Sequence, residues 1–137
     1  MTDAYAIELD AQLSAEEINA AYAWVEWPQR DASRLDAVSG RCTWFAARAG
    51  GDLIGVARVL DDGGLHASLW DLIVRPDRQR RGIGTALARA ALSTVRDRRI
   101  VAIVSTPHAM PFFTAIGFAT ESHGHAAMYL RPGETTA

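Results

Sequence analysis

A turn that combines two glycines with three arginines carries the clearest chemical signal in this sequence. Arg78, Arg80 and Arg81 precede Gly82 and Gly84, with a strand-like run before them and a helix-like run after them. Glycine lets a bulky ligand approach the backbone with no Cβ in the way. The first turn of a helix presents unpaired N–H groups that attract anions, and guanidinium groups bind phosphate through paired hydrogen bonds. The pattern predicts a polyphosphate site.

Two familiar nucleotide-binding motifs fit this turn poorly. A P-loop requires a lysine after its second glycine, and the chain contains no lysine. A dinucleotide fingerprint requires a third glycine three residues after Gly84, where Leu87 stands instead. Neither motif explains the glycines.

The turn resembles the pyrophosphate loop of the GNAT acetyltransferase superfamily. The family pattern Q/R-x-x-G-x-G/A is met by Gln79, Gly82 and Gly84, and the usual V-x-P before it by Val74 and Pro76. A second family motif, F-F/Y-x-x-x-G-F, occupies residues 112–118. The resemblance implies the GNAT fold and acetyl-CoA as co-substrate.

A softer resemblance points to one branch of the family, which includes the plastid serotonin and arylalkylamine N-acetyltransferases and their bacterial relatives. It rests on residues 22–27, 54–62, 70–71 and 124–128. Members of this branch act on small arylalkylamines or on protein amino groups. The resemblance therefore implies a primary amine as acceptor, from a small molecule or a protein.

The resemblance also implies which residues bind the cofactor, mostly through their main chain. The strand end pairs with the pantetheine, and the helix start binds the pyrophosphate. The implied cofactor residues are Leu72, Ile73, Val74, Gln79, Arg80, Arg81, Gly82, Ile83, Gly84, Thr85 and Phe113.

Phe113 departs from the family pattern. GNAT enzymes very often have Tyr here, placed to protonate the departing thiolate, and Phe cannot donate a proton. Three alternatives stay open: the thiolate leaves unassisted, Tyr129 or water serves instead, or the chain is a catalytically weak CoA-binding module that regulates or binds a partner.

Asp71 is the candidate catalytic residue. A primary amine has a pKa of about 10, so a base or a water relay must remove a proton before attack. Asp71 is the only ionisable residue in the central strand between His66 and Arg75. The alternatives to a base or water-orienting role are a structural role and a contact with the substrate ammonium.

Trp27 and Trp70 are the candidate substrate residues. An aromatic wall would bind an arylalkyl or cationic amine by stacking and by cation–π contact. Ordinary packing in the core is the alternative for both.

The hydrophobic pattern predicts the elements that position these residues. Strands are expected at 5–9, 43–48, 53–60, 65–74, 100–104 and 127–130, and helices at 14–28, 31–38, 85–96 and 106–116, with Ser14 and Glu17 forming a capping box. The order is β-α-α-β-β-β-α-β-α-β. This order indicates a mixed α/β (α+β) fold, and the resemblance to the GNAT family implies a central, mostly antiparallel sheet flanked by helices.

The composition predicts one domain over residues 1–137, with 132–137 as a frayed tail. The first 62 residues hold eleven acids and five arginines, which favours a cationic acceptor, whereas the remainder is basic and suits a phosphorylated cofactor. Solvated faces are the alternative explanation for the acidic half. We expect a cytoplasmic protein that binds no metal, nucleic acid or membrane, and a homodimer is the candidate assembly.

Overall fold

The computed structural model describes residues 4–121 and 123–133. Within them the chain forms five strands and four α-helices. The strands are β1 Ala6–Glu8, β2 Thr43–Ala49, β3 Asp52–Asp61, β4 His66–Val74 and β5 Ile100–Ile103. The α-helices are α1 Ala15–Trp24, α2 Ala32–Ser39, α3 Ile83–Ser93 and α4 Met110–Ala115, and short 3₁₀ turns span Pro76–Arg78 and Pro107–Ala109.

The chain divides into two compact units, Met1–Val104 and Ser105–Ala137. All five strands and α1 to α3 belong to the first unit, and α4 belongs to the second. The single domain expected over residues 1–137 stays a prediction.

The strands form one sheet in the order β1-β2-β3-β4-β5. The first four pair antiparallel, through short turns between β2 and β3 and between β3 and β4, and β5 pairs parallel to β4. A parallel neighbour requires a crossover connection, which α3 supplies between β4 and β5. The predicted mixed, mostly antiparallel sheet is confirmed.

The two faces of the sheet are covered by different helices, because successive strand residues point to opposite sides. Helices α1 and α2 pack on one face, where the core comprises Ile18, Ala21, Tyr22, Leu35, Trp44, Ala46, Val56 and Ile73. On the other face α3 buries Ile83, Leu87, Ala88 and Ala91. A Cβ on Gly55 would lie 2.8 Å from Leu87 Cδ1, so the missing side chain of Gly55 lets α3 pack closely on β3.

The helix starts differ in a way that bears on the site. Helix α1 has the predicted capping box, in which Glu17 N donates to Ser14 Oγ at 3.1 Å and Ser14 N donates to Glu17 Oε1 at 3.1 Å. Helix α3 is preceded by Gly82 as its N-cap residue, which has no side chain to cap it. The first amides of α3 therefore have no capping side chain, whereas Ser14 caps the first turn of α1.

The turn between β3 and β4 gives a prediction for acid stability. Asp62 accepts hydrogen bonds from the backbone N–H groups of Gly64, Leu65 and His66, which lower its pKa from 3.8 to about 2. Because the folded pKa is depressed, the charge of Asp62 stabilises the fold above its ordinary pKa. That contribution is lost as the pH falls from about 4 towards 2.

We expect Asp62→Asn to make the urea midpoint fall less steeply than that of the wild type between pH 4 and 2. Asp31→Asn is the matched control, because the Asp31 side chain makes no cap hydrogen bond. Equal slopes for Asp62→Asn and the wild type would contradict the prediction.

The strand predicted over 127–130 is wrong. Residues 126–131 are in no helix or strand, and none of the strand pairs among the described residues includes them. Met128 is 93% exposed and Leu130 is 86% exposed. A strand needs a neighbour for its backbone groups, and local alternation could not supply one. Of the predicted frayed tail, residues 134–137 lie outside the described residues.

No helix in residues 4–121 and 123–133 is both long and apolar enough to cross a membrane. The same residues contain no group of three or more His, Cys, Asp or Glu that could hold a metal ion.

Candidate functional site

Strand β4 is interrupted by a bulge at Asp71. Val56 pairs with Ile73 and Arg58 pairs with Trp70, so Ala57 of β3 faces two residues of β4, Asp71 and Leu72. Asp71 has a φ of 52°, in the left-handed region that Asp and Asn adopt more readily than most residues. A bulge re-aims the side chains beside it.

The bulge turns the Asp71 carboxylate towards the α1 face of the sheet. Simple alternation would place Asp71 and its neighbour Trp70 on opposite faces. Instead, Asp71 Oδ2 accepts hydrogen bonds from Tyr22 Oη at 2.8 Å and Arg58 Nε at 3.0 Å. Both bonds end on Oδ2, so Oδ1 takes part in neither.

Burial and the adjacent charge of Asp71 change the acidity of Tyr22. The phenol is withdrawn from water and donates to the Asp71 carboxylate, and both effects raise its pKa well above 10. Tyr22 is therefore a neutral hydrogen-bond donor at every physiological pH. Burial likewise raises the pKa of the half-buried Cys42 thiol.

Arg58 is held by aromatic rings as well as by Asp71. Its Cζ lies 5.7 Å from the centroid of Trp44 and 5.9 Å from that of Trp70, on the two strands that flank β3. Trp70 Nε1 donates to Ser68 Oγ at 2.6 Å. Trp70 therefore supports Arg58, and its role as a substrate contact stays a prediction.

A cavity of about 290 Å³ opens beside Asp71. It lies between the end of α1, the α1–α2 connection, α2 and the bulge of β4. Trp27 lines it, as the substrate prediction requires, and its ring lies 5.6 Å from that of Tyr22. The polar and aromatic side chains around it are Tyr22, Trp27, Arg30, Arg34, Arg58 and Asp71.

Asn19 fixes the backbone of the α1–α2 connection. Its side chain donates to Arg30 O at 2.9 Å and accepts from Arg30 N at 2.9 Å. Gln29 Nε2 donates back to Asn19 O at 3.1 Å, and Trp27 N donates to Tyr22 O at 2.9 Å. The segment that carries Trp27 and Arg30 therefore has a defined path along one side of the cavity.

The glycine turn follows the carboxyl end of β4, after Val74. Gly82 has a φ of 84°, and a Cβ there would meet nothing within 4 Å. Ala86 N donates to Gly82 O at 3.0 Å, so the amides of residues 83–85 precede the intrahelical bonds of α3. Gln79 Nε2 donates to Val74 O at 3.0 Å and ties the turn to the strand.

The edge of β4 between the glycine turn and the cavity has no strand beside it. Pairing with β5 covers only His66 to Leu69, opposite Ile100 to Ile103. In the first unit, as described, residues 70–74 pair with β3 on one side and with no strand on the other. Leu72, Ile73 and Val74 thus lie where an extended ligand could add to the sheet.

Phe113 lies in α4, within the second unit. Its ring makes edge contacts with Phe112 at 5.1 Å and Phe118 at 5.8 Å between centroids. Tyr129, the alternative proton donor, is 66% exposed. The roles of both residues stay predictions.

Sequence reasoning selected Asp71 and Trp27 for this site but missed four of the residues around the cavity. Arg58 had a signal, because it is the only charged residue between the two ends of β3. Tyr22 was indistinguishable from the apolar face of α1. Arg30 and Arg34 had no local signal, since they meet only where the connection folds over α2.

Comparison with known proteins agrees with this geometry. The sequence profile of the Acetyltransferase (GNAT) family matches residues 4–118. The chain has a TM-score of 0.79 to a GNAT family acetyltransferase from Streptococcus pneumoniae. The two chains are 24% identical, and the match covers 94% of this chain and 99% of that one.

The curated relatives are longer than this chain, and the match covers only part of each. GCN5-related N-acetyltransferase 1, chloroplastic, of Arabidopsis thaliana is 25% identical over 121 residues, covering 85% of this chain and 61% of the relative. Serotonin N-acetyltransferase 2, chloroplastic, of Oryza sativa subsp. japonica is 27% identical over 111 residues, covering 76% and 56%. The chain thus spans little more than half the length of these relatives. With the family profile matched over most of its length, the chain belongs to the GNAT acetyltransferase family.

Proposed function

We propose that this chain is an acetyl-CoA-dependent N-acetyltransferase that moves an acetyl group to a primary amine by direct attack on the thioester. The observation that carries the proposal is the open edge of β4, with an uncapped helix start at one end and the Asp71 cavity at the other. Acetyl-CoA is the co-substrate of this family.

The cofactor contacts are main-chain contacts in this proposal. The amides of Ile83, Gly84 and Thr85 bind the pyrophosphate, because they precede the first hydrogen bonds of α3 and lie at its positive end. The edge of Leu72 to Val74 pairs with the pantetheine amides. Gln79 acts indirectly, since its side chain holds the turn against Val74 O.

Transfer then proceeds in the cavity. The amine nitrogen attacks the thioester carbonyl carbon, the carbon–sulfur bond breaks, and the electron pair leaves with the CoA thiolate. The ammonium first loses one proton to Asp71 or to a water that Asp71 orients through Oδ1. The nitrogen loses its second proton to water as the tetrahedral intermediate collapses. A thiol has a pKa of about 8.5, so the thiolate can leave without the phenol that Phe113 lacks.

The acceptor is a small amine, and the cavity has room for an aromatic group of that amine beside Trp27. The cavity volume of about 290 Å³ is just below the range of about 300–1,000 Å³ for small-molecule sites, and Trp27 is 43% exposed. The arylalkylamines implied by the resemblance belong to this class. The cytoplasmic location and a homodimer remain predictions from the sequence.

The test is incubation with acetyl-CoA and a panel of primary amines that includes serotonin and phenethylamine, with thiol release and acetylated product both measured. We expect stoichiometric thiol and product with at least one amine. Tight CoA binding by calorimetry without thiol release for any amine would instead favour a CoA-binding regulatory module. This module is the second candidate because Phe113 cannot protonate the departing thiolate.

A further inference from the structure

We infer that the acceptor amine carries an anionic group, a carboxylate or a phosphate, which Arg30 and Arg34 bind. The inference rests on the proposed function and narrows its acceptor to a small zwitterionic amine.

The cavity is positively charged. Arg30, Arg34 and Arg58 line it together with one carboxylate, Asp71. Arg58 and Asp71 form an ion pair at 3.0 Å and largely neutralise each other. Arg30 and Arg34 pair with no carboxylate among residues 4–121 and 123–133. Two positive charges are thus left to be matched by a ligand.

This local charge is opposite to the one expected from the acidic first half of the chain. The acids of that half include Asp61 and Asp62 of the β3–β4 turn and Glu8 and Glu17, which pair with Arg48. None of these four lines the cavity. A purely cationic amine would meet only Asp71, whose charge is already matched by Arg58.

The two arginines project from fixed backbone. Asn19 holds both main-chain groups of Arg30, and Arg34 lies in the first turn of α2 beside the buried Leu35. Guanidinium groups bind carboxylate and phosphate with directed, charge-assisted hydrogen bonds. Because Arg30 and Arg34 line the same cavity as Asp71, an anion bound to them would hold the amine of the same molecule in the cavity with Asp71.

The size of the cavity limits how large the zwitterion can be. A volume of about 290 Å³ fits a molecule of amino-acid size. The exposed ring of Trp27 leaves room for an apolar or aromatic substituent. Candidates of this chemistry are α-amino acids, ω-amino acids and phosphorylated aminoalcohols.

The test compares amines in pairs that differ only by the anionic group. Suitable pairs are phenylalanine with phenethylamine, 4-aminobutyrate with butylamine, and phosphoethanolamine with ethanolamine. We expect kcat/KM to be at least about tenfold higher for the anionic member of one pair, as a single charge-assisted contact allows. The pair with the higher ratio identifies the kind of anion and its spacing from the amine.

Variants then assign the effect to the two arginines. In Arg30→Gln/Arg34→Gln the anionic-to-uncharged ratio should fall at least about tenfold. Arg41→Gln is the matched control, because it removes one exposed arginine that does not line the cavity and should leave the ratio unchanged. As a second readout, the change in tryptophan fluorescence that Trp27 contributes should report binding of the anionic members with CoA bound, and its loss in the double variant. Trp27→Phe identifies this contribution among the four tryptophans.

The outcomes separate the inference from the proposed function. Thiol release with uncharged amines equal to or faster than with their anionic partners would overturn the inference and leave the proposed function standing. A ratio unchanged in the double variant would also overturn it. Binding of anionic amines without thiol release from any pair would overturn the proposed function, while the anion site would be supported by its loss in the double variant.

Discussion

Asp71→Asn is expected to lower kcat by more than about tenfold, because positioned general bases contribute factors of roughly 10²–10⁴. Asparagine is the appropriate replacement for two structural reasons. It adopts positive φ readily, so the bulge at 52° survives. Its amide oxygen can still accept from Tyr22 and Arg58. The change therefore removes the negative charge and little else.

The affinity for acetyl-CoA, measured by calorimetry, should be nearly unchanged in Asp71→Asn. Tyr22→Phe is the matched control, because it removes one hydrogen bond to the carboxylate and leaves the carboxylate in place. We expect it to lower stability by about 1–2 kcal/mol and to affect kcat less than Asp71→Asn does. A kcat unchanged in Asp71→Asn, with lowered stability only, would assign Asp71 to the positioning of Arg58.

Gly82→Ala is expected to weaken CoA binding by at least about tenfold. The added Cβ points into open space, so the folded chain has no clash to relieve. In the proposed complex the pyrophosphate approaches the backbone at this point, and a methyl group would prevent close contact. The measurement is CoA affinity by calorimetry, together with the urea midpoint.

Gly63→Ala is the matched control for the backbone. Gly63 has a φ of 86°, and a methyl group added there would likewise meet no atom within 4 Å, but this glycine lies in the β3–β4 turn. Both variants carry the same left-handed strain of about 1–2 kcal/mol and should lose similar stability. Equal CoA affinities for the two variants would contradict a pyrophosphate site at Gly82.

Local sequence was sufficient for most elements of this fold. The capping box of Ser14 and Glu17, the hairpin glycines after β2 and the periodicity of α3 act over a few residues, so the printed sequence contains their physical causes. The glycine turn is local in the same way, and its resemblance to the GNAT family was confirmed. The strand expected at 127–130 failed because a strand also needs a partner, which alternation alone does not indicate.

The sequence by itself determined the family and the turn at Gly82, because the motifs that indicate them lie in short stretches of the chain, and the resemblance to that family implied the sheet. Only the tertiary structure decided the site around Asp71. The bulge depends on the register of β4 against β3. It places the Asp71 side chain on the α1 face of the sheet, whereas simple alternation would place it on the opposite face from Trp70. The cavity likewise depends on the α1–α2 connection, which brings Arg30 and Arg34 to a carboxylate about forty residues away in sequence and makes a basic site in an acidic half of the chain.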